Sequence, residues 1–269
     1  MATDKSLTYL MPKVELHAHL SGSLSCQTIE ELVQLHRKTF PKEDLPPEAD
    51  KFKDITDDNC SFDATYAIFR VAQAIVDHPQ AVVLATTRVI EEFSAENVKF
   101  LELRSTPRAV PGKMSKEDYV ESVVAAIEEC SKELPVIVKY LVSIDRRGTV
   151  DDAEMALKLC VDMNRKYPNV VVGLDLSGDA RVNDARDYIP VLKSANDANL
   201  RVTVHLAEVP NVDEVSSFLT QNWRPDRLGH ATCIHPDFGG DANLWKTFAA
   251  LDPPLPVEIC LTSNLVFLI

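Results

Sequence analysis

Four of the seven histidines in this sequence fall at or near the ends of short β-branched segments, where they could bind a metal ion. His17 and His19 alternate in VELHAHL, and residues two apart on a strand point to the same face. His205 lies in VHLAE, and His230 ends the segment DRLGH. Two adjacent buried imidazoles without a partner are costly, and a divalent cation provides one. The pattern predicts a metal site; the alternative is that these are core histidines satisfied by hydrogen bonds.

Charged side chains and a glycine follow the same segments. Glu208 comes three residues after His205. Gly178, bracketed by Asp175 and Asp179, would let backbone approach a ligand closely, although an ordinary turn glycine explains it equally well. Arginines lie at the ends of two other segments, and their guanidinium groups could bind a phosphate. The alternative is that they are solvated surface charges. These arginines are Arg104, Arg108, Arg146 and Arg147.

The elements that must position these residues alternate between strand-like and helix-like segments. Such alternation with apolar strands predicts a parallel sheet covered by helices. No G-x-G-x-x-G motif follows the first strand, and the informative polar residues lie late in their strands, which is where the active-site face of a barrel forms. We therefore expect an α/β fold, a (β/α)8 TIM barrel with one strand absent, rather than an open Rossmann sheet. The predicted strands are residues 13–19, 98–105, 136–144, 170–177, 201–207, 226–231 and 257–263.

The intervening segments carry apolar residues at i, i+3, i+4 and i+7, the signature of an amphipathic helix. Ser115 followed by Asp118 resembles a capping box at the start of the third long helix. Residues 40–60 are polar and proline-rich and predict an insertion loop. No repeat or linker divides the chain, so we expect a single domain over residues 1–269. The predicted helices begin at Thr28, Ala81, Lys116, Asp152, Asp187, Val212 and Ala242.

Within the first strand, alternation places Glu15 on the same face as His17 and His19. Val14 and Leu16 are then expected to face the surrounding helices. The three remaining histidines lie in polar helical or loop stretches and are assigned no role. They are His36, His78 and His235.

Composition narrows the classes of function. A formal net charge of −13 argues against a surface that coats nucleic acid and favours a protein that acts on small molecules. The six cysteines form no C-x-x-C pair, which predicts buried thiols in a reducing compartment. The N-terminus lacks an apolar run typical of a signal peptide, and no segment is long enough to span a membrane. We expect a monomer in the cytosol with no nucleic-acid or membrane partner.

The chain resembles the adenosine/AMP deaminase family, within the amidohydrolase superfamily of metal-dependent barrels, from about Pro12 to Asn264. The segments that carry the resemblance occur in family order and are PKVELHAHLSGS, LELRSTPR, SIDRRG, VGLDLSGD, HLAE, DRLGHAT and EICLTSN. SGS after HAHL, together with STPR and DRRG, is most similar to the adenosine-deaminase-like subfamily. That subfamily removes methylamine from N6-methyl-AMP to give IMP. The resemblance implies a purine nucleotide as the small-molecule substrate, with adenosine or AMP deamination as the alternative.

The resemblance also implies roles for individual residues. His17, His19 and His205 would bind one zinc ion per chain, and zinc lowers the pKa of a bound water towards neutrality. Glu208 would protonate the purine ring nitrogen as C6 becomes tetrahedral, and His230 would hold the attacking water and help to deprotonate it. The residues that would contact the nucleotide are His19, Ser21, Ser105, Thr106, Arg108, Asp145 and Gly178.

Ser21 supplies a physical reason to expect a nucleotide. Adenosine deaminases typically carry Asp at this position, which faces the 5′ end of the sugar. An acid there would repel a 5′-phosphate, whereas a hydroxyl group can donate a hydrogen bond to it.

Two departures from the family pattern lead to further expectations. Ala207 stands where the family often has Gly, and its methyl group is expected to narrow the pocket. After TSN the family continues to an eighth strand with a T-D-D motif, whose first Asp ligates zinc, whereas this sequence reads TSNLVFLI. We therefore expect the eighth strand and final helices to be missing, the metal to bind more weakly, and activity to be low or absent. The alternatives are an impaired isoform that only binds nucleotide, and a structural protein.

Overall fold

A computed structural model describes residues 7–50 and 70–261 of the chain. The chain divides into two compact units, Met1–Lys139 and Tyr140–Ile269. The single domain expected over residues 1–269 stays a prediction. Part of the predicted insertion loop at 40–60, the cysteine at position 60 and the TSN motif at 262–264 lie outside the described residues.

The first unit is built on two parallel strands, β1 (Lys13–His19) and β2 (Val98–Ser105). Both match the predicted bounds, because alternating β-branched and polar residues favour a pleated, half-buried strand. The α-helices of this unit, among the described residues, include α1 (Leu7–Leu10), α2 (Cys26–Thr39), α3 (Pro79–Ala95) and α4 (Lys116–Glu133).

Strand β1 contains a bulge that the alternation pattern did not predict. Glu15 pairs with Leu101 and Ala18 pairs with Leu103, so β1 advances three residues (15 to 18) while β2 advances two (101 to 103). An opposite register shift precedes it, because β2 advances two residues (98 to 100) while β1 advances one (13 to 14). The extra residue breaks strict alternation. Val14 is 64% exposed, so the expectation that it faces a helix is wrong.

The second unit continues the alternation with five strands that pair in chain order. The pairs described from β3 to β7 are all parallel. The strands are β3 (Ile137–Asp145), which begins in the last residues of the first unit, β4 (Val171–Ser177), β5 (Arg201–Leu206), β6 (Arg227–His230) and β7 (Val257–Glu258). The helices are α5 (Val150–Lys166), α6 (Ile189–Asp197), α7 (Val212–Thr220) and α8 (Ala242–Ala249).

Local signals set the helix starts. The capping box predicted from Ser115 and Asp118 is confirmed, with each residue bonding the backbone N–H of the other. Thr149 and Asp152 form a second capping box, so α5 begins two residues before the predicted start. The segment expected to begin a helix at Asp187 instead starts with a 3-10 turn, Ala185–Tyr188, that leads into α6.

The core is apolar, and four of the five cysteines that the structure describes are buried in it. Burial raises the pKa of the Cys160 thiol to about 12, so this side chain behaves as a small apolar group. In the described part of the chain, no helix has the length and apolar character needed to cross a bilayer.

Candidate active site

In the first unit, the end of β1 brings two imidazoles together. The ring centroids of His17 and His19 lie 5.1 Å apart in an edge-on arrangement. Ser21 follows immediately in a short 3-10 turn, Leu20–Gly22, which Ser23 closes by donating from Oγ to the His19 carbonyl at 2.8 Å. Both histidines are half-buried.

The end of β2 carries three residues that were expected to contact a nucleotide. Ser105 is buried, whereas Thr106 is exposed. Arg108 donates from Nη2 to the backbone carbonyls of Gln73 and Val76, the latter at 2.9 Å. The guanidinium of Arg108 therefore caps backbone carbonyls in this structure.

In the second unit, His205 on β5 is held by a carboxylate on β4. Its Nδ1 lies 3.1 Å from Asp175 Oδ1 and 3.0 Å from the Leu176 carbonyl. Both of these atoms are acceptors, so Nδ1 carries the proton and the lone pair of the ring lies on Nε2. Ser143 on β3 in turn donates to Asp175 Oδ2 at 2.8 Å. This is the carboxylate–histidine arrangement that orients metal ligands.

His230 and Glu208 also lie together in the second unit. The ring centroids of His205 and His230 are 5.2 Å apart, and His230 Nε2 lies 3.7 Å from Glu208 Oε1. Burial raises the pKa of the Glu208 carboxyl group, only partly offset by the nearby His205, so the protonated form is favoured. A carboxyl group of this kind can act as a general acid near neutral pH.

Left-handed backbone conformations occur at the ends of β5 and β6. His230 has φ +65° and Ala231 has φ +55°, conformations that residues other than glycine seldom adopt. Ala207, directly after β5, has φ +54°. Strained backbone of this kind clusters at active sites, where the surrounding structure holds it in place.

Asp145 and Gly178 approach each other closely. Gly178 has φ +103°, and a β-carbon at this position would collide with the Asp145 carboxylate. The positive φ and the close approach of the Asp145 carboxylate both favour glycine at this position, and its contact with a nucleotide stays a prediction. Asp145 also accepts hydrogen bonds from the exposed Arg147, which has the solvated surface role considered for it.

Sequence analysis missed the roles of Asp175, Ser143 and two arginines. Arg104 is fully buried and donates to the Leu16 carbonyl. Arg146 is 1% exposed and forms a buried ion pair with Glu214. The bonds described for both arginines are to protein groups, so neither is solvated surface charge. The partners lie far away in sequence, so local patterns could not predict these bonds. The polar residues that alternate on the strands, such as Asp175 in LDLS, were the only local signal.

The donor set suits a borderline metal such as zinc. Each unit presents a pair of adjacent imidazoles, and His205 has its Nε2 lone pair set by a hydrogen-bonded carboxylate. Zinc favours imidazole ligands whose other ring nitrogen donates to such a group.

Comparisons with known proteins agree with this chemistry. The family model described as adenosine deaminase matches residues 12–268. An N6-methyl-AMP deaminase from Danio rerio is 39% identical over 98% of this chain and 74% of the relative. An N6-methyl-AMP deaminase from Homo sapiens is 36% identical over 94% of this chain and 70% of the relative.

A solved structure of the Arabidopsis N6-mAMP deaminase is similar over nearly the whole chain. The match has a TM-score of 0.81 at 33% identity and covers 97% of this chain and 75% of that one. Further Arabidopsis structures, titled ADAL, were solved in complex with GMP and with IMP. The similarity confirms the predicted fold class, an α/β TIM barrel of the metal-dependent hydrolase type.

Proposed function

We propose a substrate and a set of catalytic roles for this chain, which belongs to the adenosine deaminase family and is a hydrolytic deaminase that acts on C–N bonds. The proposed reaction is hydrolysis of N6-methyl-AMP by water to IMP and methylamine. The observation that carries the substrate is the similarity, over at least 94% of the chain, to relatives named N6-methyl-AMP deaminase. The IMP complex of the Arabidopsis structure titled ADAL supports a nucleotide product.

We propose that His17, His19 and His205 bind one zinc ion. The support is the adjacent pair of imidazoles on β1 and the orientation of His205 by Asp175. Zinc, when bound, activates water for attack at neutral pH. Asp175 contributes by holding the His205 ring in the tautomer whose Nε2 can coordinate.

Glu208 and His230 carry the proton transfers in this proposal. Burial raises the pKa of the Glu208 carboxyl group, which favours its role as the donor of a proton to the purine ring nitrogen as water adds to C6. His230 accepts a hydrogen bond from the attacking water and takes up its proton. The protonated His230 then gives this proton to the departing methylamine as the C6–N bond breaks, and the C6 hydroxyl group returns its proton to Glu208, which leaves the hypoxanthine of IMP and restores both side chains.

The remaining predicted residues bind the nucleotide. Ser21 lies in the turn directly after the histidine strand, and its hydroxyl group donates to the 5′-phosphate. The other proposed contacts are made by His19, Ser105, Thr106, Arg108, Asp145 and Gly178.

The test is turnover of N6-methyl-AMP, AMP and adenosine at equal concentrations by the purified chain with added zinc. We expect methylamine release from N6-methyl-AMP to be fastest, and removal of the metal by a chelator to abolish it. Glu208→Gln is expected to lower turnover by about 10²–10⁴-fold, because the proton donor is lost while the shape of the side chain is kept.

Two variants of Ser21 test the phosphate contact. Ser21→Asp should reduce the preference for nucleotide over nucleoside by about 100-fold or more, because like charges brought together cost several kcal/mol. Ser21→Ala, which removes the hydroxyl group without adding charge, should have a smaller effect. Adenosine turnover that equals or exceeds that of its monophosphate would contradict the proposed substrate. Nucleotide binding without turnover would favour the alternative, an impaired isoform that only binds nucleotide, over the proposed reaction.

A further inference from the structure

The bulge in β1 lies at the strand that carries two of the proposed metal ligands. One extra residue lies between Glu15 and Ala18, beside the first histidine, His17. Bulges are uncommon in parallel pairs of strands, and they are enriched next to active sites, where they redirect side chains. A bulge also removes backbone groups from the ladder, and those groups then need other partners.

Two side chains provide these partners in the first unit. The Glu15 carboxylate accepts a hydrogen bond from the His17 backbone N–H at 2.7 Å. The fully buried Arg104, on β2, donates to the carbonyl of Leu16. The C=O and the N–H of the peptide group that joins Leu16 to His17 are therefore both hydrogen-bonded to charged side chains.

We propose that Glu15 and Arg104 are positioning residues for the metal site, because they fix the bulge that aims His17 and His19. This inference rests on the proposed function, in which both histidines bind zinc. Charged groups form hydrogen bonds that are stronger than those between neutral groups. A rotation of the peptide between Leu16 and His17 would change the direction of the His17 imidazole, and the two bonds oppose that rotation.

The arrangement also explains the residue types. A glutamate at position 15 reaches the N–H two residues later on its own strand. An arginine at position 104 reaches from β2 to the carbonyl of Leu16, which lies where the register shifts between Glu15 and Ala18. Neither side chain is proposed to contact the reacting atoms, so substitution of either should first lower the affinity for the metal.

Glu15→Gln and Glu15→Leu form a matched pair. Glutamine retains an oxygen that can accept from the His17 N–H, whereas leucine has a similar size and no acceptor. The experiment measures the zinc affinity of the purified full chain by competition with a chromophoric chelator. We expect Glu15→Leu to weaken zinc binding by about 10–100-fold, the range typical of lost outer partners, and Glu15→Gln to remain within about threefold of the parent protein.

Arg104→Met tests the second partner, with Arg88→Met as its control. Arg88 belongs to the same unit and pairs with Glu31 at 2.8 Å, but no bond described for it involves β1. Arg104→Met should weaken zinc binding by about 10–100-fold, and Arg88→Met should leave it unchanged. Thermal unfolding of each metal-free variant reports on folding, and the Glu15 pair decides the outcome if Arg104→Met does not fold.

The absorption spectrum of the cobalt-substituted protein provides a readout that does not depend on turnover. Altered d–d bands in Glu15→Leu but not in Glu15→Gln would support the positioning role. Parental zinc affinity in Glu15→Leu, or equal losses in both Glu15 variants, would overturn the inference and leave the proposed function intact. A parent chain that binds no zinc would instead overturn the proposed metal site, and the inference with it.

Discussion

Ala207 adopts a backbone conformation that a residue with a β-carbon rarely occupies. Its φ of +54° lies in the left-handed region, and the residue is 3% exposed directly after β5. The left-handed conformation costs most residues about 1–2 kcal/mol, whereas glycine adopts it freely. The preference of the family for glycine at this position therefore has a conformational cause, in addition to the narrower pocket expected from the methyl group.

Ala207→Gly is expected to stabilise the protein by about 0.5–1 kcal/mol. The relief of backbone strain exceeds the larger conformational entropy that glycine adds to the unfolded chain. Chemical denaturation measures the change. The control is Ala153→Gly, the same substitution at a buried position inside α5, which should destabilise by about 1 kcal/mol or more. A loss of stability in Ala207→Gly would contradict the strain argument.

At the scale of elements, a buried ion pair joins the loops that follow β3 and β4 to helix α7. Arg146 Nη2 lies 2.6 Å from Glu214 Oε1, and both side chains are almost fully buried. Arg146 also donates to the carbonyls of Val182 and Asn183, and Glu214 accepts from the N–H of Ala185 at 2.7 Å. Asp145 lies at the end of β3, directly before the first of these loops, and Gly178 begins the second.

Glu214→Gln should lower the free energy of unfolding by about 3–5 kcal/mol, because it leaves the Arg146 charge buried without its counter-ion. Equilibrium unfolding in denaturant is the measurement. The double variant Arg146→Met/Glu214→Leu should lose less than the sum of its single variants, because it leaves no unpaired charge.

The control for this prediction is an exposed ion pair on α5. Lys158 lies 2.9 Å from Asp162, with its side chain 81% exposed, so Lys158→Gln should change stability by less than about 0.5 kcal/mol. An effect of Glu214→Gln as small as that of Lys158→Gln would show that the buried pair does not stabilise the fold.

At the scale of the whole molecule, a buried cluster in the first unit links stability to pH. His36 Nε2 lies 3.7 Å from Asp77 Oδ2 and 3.9 Å from Glu43 Oε2, and Lys113 binds both carboxylates. His78 bonds the other oxygen of Asp77 at 2.8 Å. Burial lowers the pKa of His36, although Asp77 partly offsets it, so the folded protein holds this imidazole neutral.

The direction in which stability changes with pH follows from the protonation of His36 in the unfolded and folded states. Below about pH 6.5 the unfolded chain protonates His36 while the folded protein resists, so stability falls as the pH falls through this value. The contribution is fully present above pH 6.5. Burial raises the pKa of Asp77, but hydrogen bonds from Lys113 and His78 outweigh it and the pKa is lowered, so its contribution is lost only below about pH 3.8.

His36→Gln should therefore flatten the dependence of stability on pH between 7 and 5. One proton changes the free energy of unfolding by at most about 1.4 kcal/mol per pH unit, which sets the largest slope that the variant can remove. Denaturation at several pH values is the measurement. The control His235→Gln makes the same substitution at a histidine whose side chain is 39% exposed. If His36→Gln leaves the slope unchanged, His36 is not the source of the pH dependence of stability.

Most of the elements could be predicted from the sequence, because strand and helix patterns depend on neighbouring residues. The bounds of β1 and β2 and the capping box at Ser115 followed from local spacing alone. Strand β7 is shorter than predicted, with Val257 and Glu258 as its described residues. The candidate site residues came from their places at strand ends and from the resemblance to a family, and their roles stay proposals.

Local sequence patterns specify which residues alternate, which helices are capped and which polar groups end each strand, since each feature depends on residues a few positions apart. Tertiary structure decided the bulge in β1, the positive φ of Ala207, and the burial of His36 in a stretch that looks polar. It also decided that Arg104 and Arg146 bind protein groups. The physical reason is that a buried polar group takes its partner from whatever the fold brings near, and Leu16 and Arg104 are 88 residues apart.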